Sequence, residues 1–401
     1  MKEKTGKIKR RTQSSSTMSS SRDKDTSQSQ YIPLELTIEI LLRLPARSMV
    51  RFRSVSKLWS ATTTSQEFLN SFSTRSLSLQ PSVLLTVRKK DTLFVFSSPL
   101  NKTSPFSCLG SYRFRDLRIS CHQHYMHGLI FLEGSKQLAI WNPTMKRSIT
   151  IPKPKASAEG RYYKECIFGY DLIEGNYIVL RICEFRDYSK IFIFTLGAQG
   201  QLLRKIIKNG VPQHRRTNHC GKCINGVMYY EALVHLGVGN VERRIMSFDI
   251  RSKKVNSIKY PNTCVCDHLV LYEGRLTIVT FKYLPTPSID LWILKNEDRH
   301  EWTHKGFVLP LADMDPIQRQ DLRFCGVSDA GEFIFAPWRL SESFYIVYFD
   351  LRINGIREVL CEGSLGKEFG CGNGLGLGLG KEYMYTLMRV YPNHIESLVA
   401  L

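Results

Sequence analysis

The sequence lacks every pattern that marks a membrane-spanning or secreted protein. No stretch approaches the roughly 20 uncharged apolar residues that a transmembrane helix needs. The segment that begins with Met1 contains no apolar core, so we expect no secretory signal peptide. The eleven cysteines are an odd number in a chain without that signal. They therefore predict reduced thiols and argue against a disulfide framework.

Signatures of catalysis are absent as well. The chain contains neither a G-x-S-x-G nucleophile elbow nor the H-E-x-x-H motif of zinc proteases. Glycine occupies every second position of residues 370–380, but this alternation fits neither template of a phosphate-binding loop, and a flexible or tightly turning loop accounts for it. Asp313 and Asp315 lie in a polar turn, where carboxylates are usually solvated. We therefore expect no catalytic residue and no cofactor.

Cysteine and histidine form two short clusters that could in principle hold zinc. The clusters consist of His219, Cys220 and Cys223, and of Cys264, Cys266 and His268. Thiolate and imidazole groups suit tetrahedral zinc, yet the spacing matches no common zinc finger. Buried free cysteine is the ordinary outcome, so the favoured interpretation is a set of core thiols and no metal site.

Acidic residues are comparatively scarce. Lys and Arg number 56 against 36 Asp and Glu, which gives a formal net charge of +20. Such a balance permits nucleic acid, anionic membrane or acidic protein partners. The charges are spread along the chain without a known nucleic-acid reader motif, and patches would form only if separate loops converged. The residues concerned are Arg215, Arg216, Arg243, Arg244, Lys253 and Lys254.

Shifts in composition divide the 401 residues into three parts. Residues 1–30 are rich in Ser, Thr and Gln and predict a disordered tail. The basic cluster at residues 7–11 is a solvated charge run or a nuclear import signal. Residues 31–75 have helical periodicity, and residues 80–401 have the period of β-strands. The predicted fold class is α+β, mostly β, with a short helical module followed by a β-propeller-like domain.

The helical module contains three or four helices. Leu36, Ile40 and Leu44 recur at every fourth position, and Pro45 ends the first helix. Ser56 is a candidate N-cap for the third helix, and residues 64–67 fit a capping box for the last one. A unit of about 45 residues is marginally stable alone and usually leans on a partner.

The β region has a repeat. Aromatic landmarks recur at intervals of 44 to 57 residues, at Phe94, Trp141, Phe194, Phe248, Trp292 and Phe349. This spacing is typical of propeller blades, although an antiparallel sandwich with long hairpins would also give many short strands. The predicted strands are residues 93–96, 128–132, 177–182, 190–196, 226–231, 244–250, 268–281, 289–294, 332–336 and 344–351.

The order of three sequence blocks makes the helical module resemble an F-box. The blocks are residues 32–36 (IPLEL), 40–45 (ILLRLP) and 50–59 (VRFRSVSKLW). The following region resembles the F-box-associated (kelch-like) domain of plant F-box proteins, C-terminal to the F-box in that family. Its ordered phrases are IWNP at 140–143, FGYD at 168–171, CING at 223–226, FD at 248–249 and LW at 291–292.

This resemblance implies a function. F-box proteins of this type are substrate-recognition subunits of Skp–cullin–F-box ubiquitin ligases and are not themselves enzymes. The F-box would bind a Skp-family adaptor, and through it the cullin and RING subunits, while the β domain would capture a still unknown protein substrate. The expected compartment is the nucleus and/or the cytoplasm. The alternative is a basic β-propeller-like scaffold for nucleic acid or protein without a ligase role.

The apolar side chains of the helical module exceed what so small a unit can bury, which predicts an interface. We expect Trp59 to be an anchor and Arg53 to lie on the polar rim; a helical cap packed on the β region is the alternative. Candidate substrate loops are residues 152–163, 209–221, 233–243 and 296–302, with no individual substrate-binding residue assigned. The predicted adaptor-binding residues are Ile32, Pro33, Leu36, Ile40, Leu41, Leu44, Pro45, Val50, Arg53, Val55 and Trp59.

Overall fold

The computed structural model consists of four α-helices followed by twenty-four β-strands. It describes residues 32–78, 82–89, 91–99, 106–113, 123–134, 137–152, 160–171, 173–185, 188–197, 201–207, 210–237, 239–261, 268–282, 286–311, 321–340, 343–362 and 387–401. The tail predicted at residues 1–30, the glycine-rich residues 370–380, and Asp313 and Asp315 lie outside the described residues.

The helices begin and end at residues with clear local signals. Pro33 precedes α1, and Ser56 accepts a hydrogen bond from the Trp59 N–H at 3.1 Å, which confirms the predicted N-cap of α3. The last helix is capped by Ser65, whose hydroxyl accepts from the Phe68 N–H at 3.3 Å. The cap is therefore the second residue of the predicted box. The helices are α1 (Leu34–Leu42), α2 (Ala46–Phe52), α3 (Lys57–Thr64) and α4 (Gln66–Ser78).

The strands form six four-stranded antiparallel sheets, the blades of a propeller. Blade 2 contains β4 (Gln123–Met126), β5 (Leu129–Glu133), β6 (Gln137–Asn142) and β7 (Arg147–Pro152). Blade 3 contains β8 (Gly160–Asp171), β9 (Asn176–Phe185), β10 (Ser189–Leu196) and β11 (Leu202–Ile207). Blade 4 contains β12 (His214–Ile224), β13 (Val227–Gly237), β14 (Asn240–Asp249) and β15 (Val255–Lys259).

The last two blades continue the same order from the inner to the outer strand. Blade 5 contains β16 (His268–Tyr272), β17 (Arg275–Lys282), β18 (Ser288–Asn296) and β19 (Glu301–Val308). Blade 6 contains β20 (Leu322–Val327), β21 (Phe333–Pro337), β22 (Ser343–Asp350) and β23 (Gly355–Glu362). The strand predicted at residues 268–281 is in fact two strands, because Glu273 and Gly274 both have positive φ and form a tight turn.

Blade 1 closes the ring with strands from both ends of the β region. It contains β1 (Ser82–Lys89), β2 (Thr92–Pro99), β3 (Ser107–Arg113) and β24 (Leu387–His394), in the order β24-β1-β2-β3. The innermost strand β24 pairs antiparallel with β1, with Ser82 opposite His394. The start of β1 and the end of β24 therefore lie at the same end of the channel.

The aromatic landmarks all occupy the third strand of a blade. They lie on β2, β6, β10, β14, β18 and β22, one for each blade. The landmark spacing in the sequence is thus the blade repeat. This agreement confirms the predicted propeller and excludes the sandwich.

Apolar clusters fill each of the six junctions between neighbouring blades. Side chains of β22 show how one strand serves two junctions. Ile346 and Tyr348 pack toward blade 1, and Val347 and Phe349 pack toward blade 5. Both faces of this strand are therefore buried, which explains its nearly continuous apolar sequence.

Phe349 allows a test of this packing. It is fully buried between blades 5 and 6, so Phe349→Ala should lower the free energy of unfolding by about 3–5 kcal/mol. Ile353, in the turn that follows β22, is 76% exposed, and Ile353→Ala should change that free energy by less than about 0.5 kcal/mol. Urea unfolding followed by fluorescence measures both, and equal effects would contradict the assignment of Phe349 to the core.

Candidate functional site

An apolar surface covers the outer side of the helical module. Pro33 and Pro45 set the start of α1 and α2. The apolar residues of α1 divide between an inward and an outward side. Ile32, Leu36 and Val55 are 60%, 56% and 64% exposed. So many exposed apolar side chains in a module of this size usually mark an interface. The exposed apolar side chains, here called the helix surface, are Ile32, Leu34, Leu36, Ile40, Val50, Val55 and Leu58.

Most of the predicted adaptor-binding residues lie on the outside of the module. Leu44 and Trp59 are half-buried beside the module's core. Leu34 and Leu58 were absent from the predicted set although they are exposed, and their neighbours Leu36 and Val55 on the same surface were the signal that could have found them. The exposed members of the predicted set are Ile32, Pro33, Leu36, Ile40, Pro45, Val50 and Val55.

Leu41 departs from the expected position. It is 2% exposed and packs with Met49, Leu69 and Phe72 in the core of the module. Because Leu41 follows Ile40 by one residue, the helix turns its side chain by about 100° from the exposed side. Leu41 therefore holds the helices together in this structure and is not part of the helix surface.

Arg53 and Trp59 also have partners within the chain. Arg53 donates to the carbonyl oxygens of Thr63 and Leu398 at 3.0 and 3.1 Å. Burial lowers the pKa of Arg53 from its usual value. The Trp59 ring contacts the Phe52 ring, with centroids 5.3 Å apart. Arg53 therefore links the helices to the C-terminal residues instead of forming the expected polar rim.

Residues 395–401, here called the C-terminal segment, run between the helices and the propeller. Leu398 is 2% exposed and completes the core of the helical module. Val399 packs into the junction of blades 2 and 3. The Glu396 carboxylate accepts from the Ala46 N–H at 2.7 Å, and the side-chain amide of Asn142 donates to the carbonyls of Ser397 and Val399 at 3.0 Å each. The segment thus binds both domains.

Direct contacts hold the helices against one face of the propeller. Arg47 donates to the Leu109 carbonyl at 3.3 Å, and Met145 packs against the helical core. Gly175 has φ +68° and lies so near Gln66 that an added Cβ would meet its amide nitrogen at 1.9 Å. Met145 and Gly175 lie in hairpin turns of blades 2 and 3, and Leu109 lies on β3 of blade 1. We call this side, where the first strand of a blade turns into the second and the third into the fourth, the turn face.

The opposite side, here called the loop face, carries the connections from second to third strand and from blade to blade. Because successive strands of a blade are antiparallel, the end of β7 at Pro152, the start of β12 at His214 and the ends of β13 and β14 at Gly237 and Asn240 lie at this face. Residues 296–302 form a third-to-fourth strand turn and lie on the turn face. The fourth candidate substrate loop is therefore separated from the other three by the length of the strands.

Two long hairpins form neighbouring parts of the loop face. Phe185 and Tyr188 stack with centroids 4.7 Å apart, and the Lys190 ammonium lies 4.3 Å from the Phe185 centroid. His235 of blade 4 lies 3.5 Å from Glu184 of blade 3. Blades 3 and 4 therefore present one connected surface there, with Leu236 and Val241 exposed at the tip of the second hairpin.

The predicted basic residues do not gather into one patch. Arg216 is buried between blades, Arg243 pairs with Glu231, and Arg244 pairs with Glu242 at 2.8 Å. Lys253 and Lys254 lie in a turn of the turn face, whereas Arg215 lies near the loop face. The structure thus separates these charges and neutralises two of them.

The cysteine and histidine clusters give no metal centre within the described residues, where no group of three or more His, Cys, Asp or Glu side chains is suited to a metal ion. Cys264 and Cys266 lie outside those residues, and nothing is described of the side chains of His219 and Cys220. Cys223 is half-buried, and burial raises the pKa of its thiol. His268 is in contact with the Phe281 and Phe324 rings.

Comparison with known proteins agrees with this architecture. The F-box domain family matches residues 30–71, and the family described as "F-box associated beta propeller domain" matches residues 82–395, directly after the F-box. The F-box protein At5g18160 of Arabidopsis thaliana is 37% identical over 97% of each chain. The putative F-box protein At4g09190 of the same plant is 37% identical over 93% of this chain and 97% of the relative.

The four-helix module joined to a six-bladed propeller defines an F-box protein with an F-box-associated propeller. The chain belongs to this family, and the two relatives named above are proteins of Arabidopsis thaliana. No helix among the described residues is long and apolar enough to cross a membrane.

The C-terminal segment provides a test of the link between the domains. Leu398→Ala should increase amide hydrogen exchange in α2, α3 and α4, because Leu398 fills the helical core. Val399→Ala is the matched control, since its side chain packs between blades 2 and 3. Exchange in the helices should stay unchanged there. Hydrogen exchange with mass spectrometry measures both, and identical patterns would contradict the division of roles.

His394 gives an expected pH dependence at the closure of the ring. Burial lowers the pKa of His394 to about 3, and its Nδ1 lies 3.0 Å from the Tyr125 hydroxyl. Below about pH 6.5, His394 binds a proton in the unfolded chain but stays neutral in the folded chain. Its contribution to the free energy of unfolding is therefore fully present above pH 6.5 and is lost as the pH falls below that value. This group should remove about 2 kcal/mol at pH 5. His394→Gln should reduce the loss of stability between pH 7 and 5 by about 2 kcal/mol in urea titrations, while His127 and His268, whose pKa burial also lowers to about 4, keep their share. An unchanged slope would contradict the assignment to His394.

Proposed function

We propose that this protein is a substrate-recognition subunit of a Skp–cullin–F-box ubiquitin ligase. The helix surface carries this proposal, because seven apolar side chains remain exposed on a domain that belongs to the F-box family. A Skp-family adaptor would cover these side chains and connect the chain to the cullin and RING subunits. The nucleus and/or the cytoplasm is the proposed compartment.

The role of the chain in this proposal requires no catalysis. A receptor raises the effective concentration of substrate lysines near a conjugating enzyme bound elsewhere in the assembly. No residue of this chain then has to make or break a bond. The activity depends on holding two partners at a fixed separation.

The loop face is the proposed site of substrate capture. The helices and the C-terminal segment occupy part of the turn face, so an adaptor bound to the helix surface leaves the loop face open. The hairpins of blades 3 and 4 offer the exposed side chains of Tyr188, Leu236 and Val241, and the Tyr188 ring stacks on the buried Phe185 ring. Aromatic groups beside exposed aliphatic ones are typical of protein recognition.

A binding assay with a purified Skp-family adaptor tests the proposal. Leu36→Ala/Val55→Ala/Leu58→Ala should raise the dissociation constant at least about ten-fold, because all three side chains are exposed and would be buried in the complex. Ile353→Ala removes an equally exposed apolar side chain from the propeller and should leave binding unchanged.

Circular dichroism should show the same helix content in both variants. Failure of the folded wild-type chain to bind any Skp-family adaptor would contradict the ligase role. A basic scaffold without that role would then be the remaining candidate, and salt-dependent binding of nucleic acid would be its first test.

A further inference from the structure

The central channel of the propeller contains a cavity that the proposed ligase role does not use. Its volume is about 670 Å³, within the range of small-molecule sites. All six inner strands contribute to its wall. The lining also includes the turns Asn225-Gly226, Glu273-Gly274 and residues 328–331, so the cavity opens on the turn face. Ile395, the first residue of the C-terminal segment, lies at its edge.

Lys222 on β12 is a cation inside this cavity without a counter-ion. Its side chain is solvent-exposed at the cavity wall, although protein atoms surround it closely. Among the described residues it has no hydrogen bond and no salt bridge to a carboxylate. This enclosure lowers the pKa of Lys222. An ammonium group offers three hydrogen-bond donors to an anion bound in the cavity.

Among the described residues, four charged side chains line the cavity, those of Lys222, Arg352, Glu273 and Asp329. The carboxylate of Asp171 at the end of β8 accepts from the N–H groups of Ile173 and Glu174 and is therefore engaged in its own turn. Glu273 lies at the rim and reaches Lys305 at 3.7 Å. Arg352 pairs with Asp350 at 2.7 Å, and burial raises the pKa of the Asp329 carboxyl from its usual value.

Aromatic rings form the part of the wall near Lys222. The rings of His127 and Tyr170 lie 4.4 Å apart, and Tyr272 lies across the channel on blade 5. Burial and the nearby Lys222 charge hold the pKa of His127 at about 4, so this imidazole is neutral near pH 7. Among the described residues, Lys222 is then the cation of the wall without a carboxylate partner, because Arg352 is paired with Asp350.

We propose that this cavity binds a small organic anion, a phosphate monoester or carboxylate with an aromatic body, whose charged group pairs with Lys222. The aromatic body would lie against His127 and Tyr170. A small molecule fits better than an acidic segment of a protein substrate, because the cavity opens on the turn face, away from the proposed substrate surface. The inference is independent of adaptor binding.

Isothermal titration calorimetry of the full chain with phenyl phosphate tests the proposal. We expect one site for each chain and weaker binding of inorganic phosphate, which lacks the ring. Lys222→Gln should weaken phenyl phosphate binding at least about ten-fold, the loss of one charge-assisted hydrogen bond. Lys254→Gln removes an exposed lysine from a turn of blade 4 and should leave binding unchanged. Equal weakening in both variants would show non-specific attraction and overturn the proposal.

A labelling experiment on the wild-type chain keeps the test valid if Lys222→Gln fails to fold. Pyridoxal 5′-phosphate is itself an aromatic phosphate monoester with an aldehyde. A lysine amine adds to the aldehyde with loss of water, and borohydride supplies the hydride that reduces the imine to a stable secondary amine. Peptide mass spectrometry should find Lys222 labelled, and excess phenyl phosphate should suppress this label but not the label on Lys254.

Labelling of Lys222 that phenyl phosphate leaves unaffected would overturn the proposal. An acidic peptide that displaces the label while phenyl phosphate does not would also overturn it and would assign the cavity to a protein segment. Adaptor binding measured on the same preparations separates this result from the ligase role, since Lys222 lies outside the helix surface.

Discussion

The antiparallel pairing of β24 with β1 is the constraint on which the rest of the structure depends. It closes the ring of blades, and it brings the start of the first strand and the end of the last strand to one face. The helices that precede β1 and the segment that follows β24 must therefore be neighbours. Three contacts join the two domains there: Leu398 packs in the helical core, Glu396 accepts from the Ala46 N–H, and the Leu398 carbonyl accepts from Arg53. The position of the F-box on the propeller thus follows from how the propeller closes.

Much of the architecture could be predicted from the sequence because the blades repeat a physical pattern. The third strand of each blade is buried on both sides, so it is apolar and aromatic and gives the landmarks from Phe94 to Phe349. Outer strands such as β11 are mostly exposed and carry no such signal, and none of the outermost strands was predicted. Two inner strands were missed for other reasons. β4 has only four residues, and β16 was merged with β17 across a two-residue turn.

The adaptor surface could be predicted less completely than the fold. Composition and periodicity indicate an excess of apolar residues in the helices, but they do not say which side of each helix a partner would meet. Leu41 is buried mainly by the other helices, and Arg53 is half-buried because it reaches the carbonyl of Leu398, more than 300 positions away in the sequence. Leu58 lies outside although its neighbour Trp59 turns inward. The contacts between the helices and the C-terminal segment come from the closure of the ring, which has no local signature in the sequence.

The place of Leu398 in the helical core also has a consequence for synthesis on the ribosome. The F-box helices are made before the propeller, yet one of their core residues, Leu398, follows it in the chain. At about 5–20 residues per second, the interval between α1 and Leu398 is tens of seconds. During this time the helices lack a core side chain, and Arg53 lacks one of its carbonyl acceptors. The F-box therefore matures only when the propeller closes, so a chain with an unfinished propeller would present a defective helix surface to the adaptor.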